Sequence, residues 1–287
     1  MSVFQKLKDQ VKQKPSKLPF KHKWDQFNFR EDVHNIDDYK DGKFPGRYYV
    51  IPPNEECSYE RAYPSATTIL GQIGKILGED DWLKAWKAAV GEEEADRISY
   101  QARTRGTAMH DMAELYMRNE TTEAYHQRGW NLFQEIIPSL NKVDNIYCLE
   151  HALFSSVLQI AGRVDCVGDV DEEFDRETMS YDDFSGILTT VDFKSSRKEK
   201  TYKDIGGYKR QISLYAMAFE ERTSIRIELG KIIMGIDTMN GTGRPGVKEF
   251  DVFLGDYKKT TIDEIAMVHE HFGNDNFNRE LAYETFL

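Results

Sequence analysis

Two short stretches carry residues that could do hydrolytic chemistry: Gly-Arg-Val-Asp at 162–165 and Val-Asp-Phe-Lys at 191–194. Each lies in an apolar, β-branched run of the kind that forms strands. Residues two apart on a strand face one side. Asp192 and Lys194 therefore project together, and Phe193 points the other way, into a core. A cleft-facing carboxylate is costly unless it is paired or bound to a cation. Two aspartates from neighbouring strands, with a lysine beside them, could hold a divalent metal, place a water and stabilise an oxyanion. Phosphodiester hydrolysis needs those three things. Hard carboxylate oxygens suit Mg²⁺ or Mn²⁺ better than zinc. Taken alone, D-x-K is short, and a carboxylate–lysine pair on a strand edge would look the same.

Two further patterns bear on that choice. Gln211 and Tyr215 are four apart in a helical stretch and share a face. Upstream runs Arg105-Gly-Thr-Ala-Met-His110, also helical in pattern. Arg103 is seven residues before His110 and shares its face. Arg97, Arg103 and Arg105 could take phosphate bidentately, or could make ordinary charge pairs on an exposed helix. Glu114, one turn past His110, could orient the imidazole or face solvent.

In this order the four elements resemble the RecB-like branch of the PD-(D/E)XK nuclease superfamily: G-T-x-x-H at 106–110, G-x-x-D at 162–165, D-x-K at 192–194 and Q-x-x-x-Y at 211–215. Within that branch, YPSATTIL at 63–70 and DFKSS at 192–196 are similar to segments of the mitochondrial genome maintenance exonucleases and their phage relatives. The resemblance implies an α/β fold with a restriction-endonuclease-like core: a mixed central sheet flanked by helices, with a helical N-terminal region. It implies an Mg²⁺- or Mn²⁺-dependent DNA exonuclease, favouring single-stranded ends, in replication, recombination or repair. It assigns catalysis to Asp165, Asp192 and Lys194, and metal binding to His110, Asp165, Asp192 and the Phe193 carbonyl. Gln211, Tyr215, Glu150 and Ser195 would support the site or the DNA, and Arg103 and Arg105 would contact phosphate. Two rivals stand beside it: a structure-specific or double-strand endonuclease on the same core, and a non-catalytic DNA-binding or assembly protein. Family members with an iron–sulfur cluster use four cysteines. This chain has three, Cys57, Cys148 and Cys166, so no cluster is expected.

The elements that must place these residues follow from periodicity. Residues 1–60, punctuated by Pro15, Pro19, Pro45, Pro52 and Pro53, read as a partly irregular arm. The nuclease-like domain would occupy 61–287, with a helical part over 61–143 and the catalytic sheet over 144–287. Helices are expected over 80–90, 92–118, 123–140, 204–222 and 260–271, and strands over 146–155, 158–170, 186–196, 227–239 and 247–254. Gly106 would mark a close approach or a kink. The polar stretch 171–185 reads as an acidic, solvated insertion. GTGRPG at 241–246 fits G-x-G-x-x-G but precedes a strand pattern, so it reads as a hairpin turn.

Composition sets the outer limits. The 287 residues are 40% hydrophobic and 30% charged, enough for a real core. No apolar run approaches the ~20 residues of a membrane helix. The N-terminus is lysine-rich without an apolar h-region, so a cytoplasmic protein is expected (host cytoplasm for a phage protein). Net charge is −11, which argues against coating nucleic acid nonspecifically. The distribution is uneven: residues 1–23 carry +6 and the rest −17. A local basic groove remains compatible with that.

Overall fold

A computed structural model describes residues 12–287 apart from 28, 31, 38, 55, 56 and 240. Residues 1–11 of the lysine-rich segment 1–23 therefore lie outside the described residues. The chain runs β1 (Lys12–Gln13), β2 (His34–Ile36), β3 (Tyr48–Ile51), β4 (Arg61–Pro64), α1 (Ala66–Ile76), α2 (Asp81–Val90), α3 (Glu92–Met117), β5 (Thr122–Glu123) and α4 (Gln127–Leu140). It continues through β6 (Val143–Ser155), β7 (Ile160–Val170), β8 (Ile187–Lys198), α5 (Gly206–Thr223), β9 (Leu229–Met239), β10 (Arg244–Phe253), α6 (Gly255–His271) and α7 (Arg279–Phe286).

The central sheet has five strands in the order β10-β9-β8-β7-β6. All neighbours are antiparallel except β8 and β9, which are parallel and joined through α5. Side chains alternate across it. Ile232, Met234 and Ile236 of β9 enter a core shared with α1, α5, α6 and α7. Ile233 enters a second core with Phe193 of β8, Met109 and Met112 of α3, and Phe133 of α4. A sheet apolar on both faces must be covered on both. The result is a mixed α/β architecture with helices on each side.

Ser65, within the 63–70 segment, caps α1 by accepting the Thr68 backbone N–H at 3.0 Å. The helix expected over 123–140 forms over Gln127–Leu140, with Pro138 inside it. GTGRPG covers the turn after β9 and the first residues of antiparallel β10, with Gly241 and Gly243 at positive φ.

Two readings of irregularity need correction. Residues 12–60 are more than an arm. β2 and β3 form a three-stranded sheet with β4, and Phe44 and Tyr48 belong to the main core. The strands are only three and four residues long, too short to show a period between prolines. The insertion at 171–185 is acidic but not simply solvated. Arg176 is fully buried, donating to the carbonyls of Leu18 at 3.2 Å and Pro19 at 3.1 Å, with its guanidinium 4.1 Å from the Phe20 ring centroid. Asp144, 3.5 Å away, balances its charge. The insertion thereby clamps residues 18–20 onto the start of β6.

Candidate active site

β7 and β8 are paired from Val170 and Ile187 up to Cys166 and Val191, and no further. Asp165 and Asp192 are the next residue of each strand, so both stand where the strands separate. Asp165 closes part of the gap: its Oδ2 accepts the Phe193 backbone N–H at 2.7 Å. Phe193 faces the core, which leaves Asp192 and Lys194 together on the other side. Lys194 Nζ lies 2.5 Å from Asp192 Oδ2 and donates to the Phe193 carbonyl at 3.3 Å.

α3 runs beside this opening and brings His110, whose Nδ1 is 3.6 Å from Asp165 Oδ2. Gly106 makes that approach possible. A Cβ there would lie 3.1 Å from the Ser195 hydroxyl oxygen on β8. Glu150 arrives from β6. Ligand atoms of His110, Glu150 and Asp165 all lie within 4.8 Å of one another. They line a cleft of about 540 Å³ with Arg103, Thr107, Asp111, Glu114, Lys194 and Ser195.

The electrostatics are those of crowded carboxylates. Asp192 is 1% exposed, and neither of its oxygens has a well-formed hydrogen bond among the described residues. Burial, reinforced by the Asp165 charge, pushes its carboxyl up to about 7 against the opposing pull of Lys194. Burial also raises Glu150, to about 8, helped by Asp165 and Glu114. Burial works to lower Lys194, but Asp192 and Asp165 outweigh it and hold the ammonium protonated above its ordinary range. Burial lowers His110, against the attraction of Asp165, so its imidazole is kept neutral and able to act as a ligand. An orphaned buried Asp192 oxygen, a neutral imidazole and gathered carboxylates make a donor set that fits a hard divalent cation.

Of the residues singled out in the sequence, Arg103, His110, Glu114, Asp165, Lys194 and Ser195 line the cleft, and the Phe193 backbone is held beside it by Asp165. Asp192 stands beside the His110–Glu150–Asp165 group, not within it, because its Oδ2 is turned to Lys194. Glu150, expected to support the site, supplies the third donor. Tyr215 is buried on α5, and a Cβ on Gly162 would meet its ring at 2.9 Å. Its hydroxyl is pushed well above its ordinary range by burial, with Asp165 and Asp192 adding to the effect. Gln211 lies one turn earlier, half-buried. Arg105 leaves the group. It is 7% exposed and ion-paired with Asp237 of β9. Asp111 and Tyr208 were missed. Asp111 follows His110 directly and lines the cleft, and the Tyr208 ring centroid is 5.3 Å from Lys194 Nζ. Their signal is position alone: each neighbours a motif residue on the same helix.

Compared with protein-family models and with curated proteins, the sequence matches none. Among the described residues no helix is long and apolar enough to cross a membrane.

Proposed function

We propose that the chain is a metal-dependent deoxyribonuclease with a RecB-like PD-(D/E)XK core, acting as an exonuclease on single-stranded DNA. The observation that supports it best is the meeting of His110, Glu150 and Asp165 within 4.8 Å, beside an Asp192–Lys194 pair at 2.5 Å. In this reading His110, Asp165, Asp192 and the Phe193 carbonyl hold Mg²⁺ or Mn²⁺, and Glu150 assists. A bound divalent ion would supply Lewis-acid polarisation of the phosphate and a more acidic water. Lys194 keeps its proton between two carboxylates, so it serves as a fixed cation for charge developing on phosphate, not as a base. Tyr215 braces the strand end carrying Gly162 and Asp165, and Arg103 at the cleft rim meets the DNA backbone.

The test is a time course on end-labelled linear single strands, circular single strands and blunt duplexes, with Mg²⁺, Mn²⁺ or chelator. Linear single strands should be degraded only with metal, circles and blunt duplexes largely spared, and Asp192→Asn inactive though folded. Undiminished cleavage in excess EDTA would overturn the metal role. Rapid nicking of the circle would make the enzyme an endonuclease.

A further inference from the structure

A second cavity of about 620 Å³ adjoins the cleft across Ala102, which lines both. Four arginines line it from three elements: Arg97 and Arg105 of α3, Arg128 of α4 and Arg197 of β8. Among the described residues only two acidic ones, Glu94 and Asp237, share its wall, and each is already committed. Glu94 pairs with Arg97 at 2.6 Å, and Asp237 pairs with Arg105. Arg128 and Arg197 have no ion-pair or hydrogen-bond partner among the described residues. In a chain of net charge −11, two uncompensated cations meeting in one hollow is an uneven distribution.

Two details favour an anion in this cavity. Arg105 is only 7% exposed, yet its Nε has no hydrogen-bond partner among the described residues. Arg128 lies in the first turn of α4, which holds no acidic residue. A cation at the positive end of a helix dipole is unfavourable, and an anion placed between Arg128 and Arg197 removes that penalty. Arg197 is two residues past Ser195, which lines the cleft, so both share a face of β8 and the cavity continues the cleft along that strand.

We infer that this arginine cavity binds a phosphate of the substrate strand a few nucleotides from the bond being cut. The inference rests on reading the neighbouring cleft as a phosphodiester-cleaving site. The bound phosphate sets how the strand lies across that cleft, and contributes to substrate affinity rather than to the chemical step.

The experiment pairs binding with cleavage in the full chain carrying Arg128→Ala and Arg197→Ala together. Binding is read by anisotropy of a labelled single-stranded oligonucleotide in chelator, across a salt series. The double variant should bind on the order of tenfold or more weaker at low salt. Its log–log salt slope should be shallower by about 0.7, the value for one phosphate charge no longer neutralised. In Mg²⁺, KM should rise while kcat changes little. A charge-matched control, Lys259→Ala with Arg279→Ala at exposed positions, should keep the parent slope. Oligonucleotides ending in 5′-phosphate, 3′-phosphate or hydroxyl tell the source. A loss confined to one phosphorylated end identifies a terminal phosphate, and an equal loss on all three identifies an internal one. Parent-like binding, slope and KM in the double variant would overturn the inference. Weaker binding by the variant beside a parent that cleaves nothing would leave the phosphate site standing and remove the nuclease reading.

Discussion

Lys194 is held by opposed forces, and which force wins decides its role. Burial disfavours its charge, but the Asp192 carboxylate at 2.5 Å and Asp165 beyond it favour the charge more strongly. An ammonium so fixed is oriented before any substrate arrives, which is what electrostatic stabilisation of a transition state requires. It contributes little to ground-state affinity if phosphate charge grows only as the bond breaks. Lys194→Ala should therefore lose on the order of 10²–10³ in turnover and still bind single-stranded DNA as the parent does. A gel shift beside a cleavage assay on one preparation checks this. Loss of binding in proportion to cleavage would make Lys194 a phosphate anchor instead. Negligible cleavage by both would leave a protein that only binds.

Glu150 shows what an element gives up to place a donor. It lies inside β6 with φ 53°, a left-handed conformation for a non-glycine residue. Its carbonyl is turned out of the ladder to accept from Arg163 Nη1 at 2.7 Å. That conformation costs about 1–2 kcal/mol, and the carboxyl is raised to about 8 besides. Asparagine tolerates left-handed backbone and carries no charge. Glu150→Asn should gain about 1 kcal/mol in urea unfolding with chelator present and lose at least about tenfold in cleavage rate. A less stable variant would mean that the carboxylate holds β6 through its contacts. The contrast marks how far the sequence could be read. The strands bearing Asp165 and Asp192 were legible because long β-branched runs replace a helical period after residue 140. Glu150 was legible as a strand residue but not as a left-handed one, since nothing local in Cys148-Leu-Glu-His151 requires it. The buried Arg176 was hidden because its partners, the carbonyls of Leu18 and Pro19, lie more than 150 positions away. The arginine cavity was hidden because Arg128 and Arg197 meet only once α4 and β8 are packed.

A titratable group outside the cleft lining acts on the stability of the whole fold. His269 of α6 is 1% exposed. It stacks on Phe277 with ring centroids 4.5 Å apart, and meets Phe44 edge-on at 5.3 Å. It thus joins α6 to the segment before α7 and to the N-terminal region. Its Nδ1 accepts from Asn274 Nδ2 at 2.6 Å, which requires that nitrogen to be unprotonated. Burial, with Lys43 nearby, lowers it from 6.5 to about 4. The sign follows directly. Above pH 6.5 folded and unfolded chains both hold a neutral imidazole, and the contribution is fully present. As pH falls below 6.5 the unfolded chain takes up a proton that the folded chain refuses, and stability drops until the folded group titrates near pH 4. By pH 5 that loss amounts to roughly 2 kcal/mol. Other groups titrate over the same range, so the parent alone does not isolate it. His269→Gln removes the titration while keeping a polar side chain on the helix. It should be less stable than the parent at pH 7, and the gap should shrink by roughly 2 kcal/mol at pH 5. Urea unfolding of both proteins at the two pH values measures this. A gap that stays constant from pH 7 to pH 5 would mean that folded and unfolded chains take up the proton equally, and that the ring packing of His269, not its neutrality, holds these segments together.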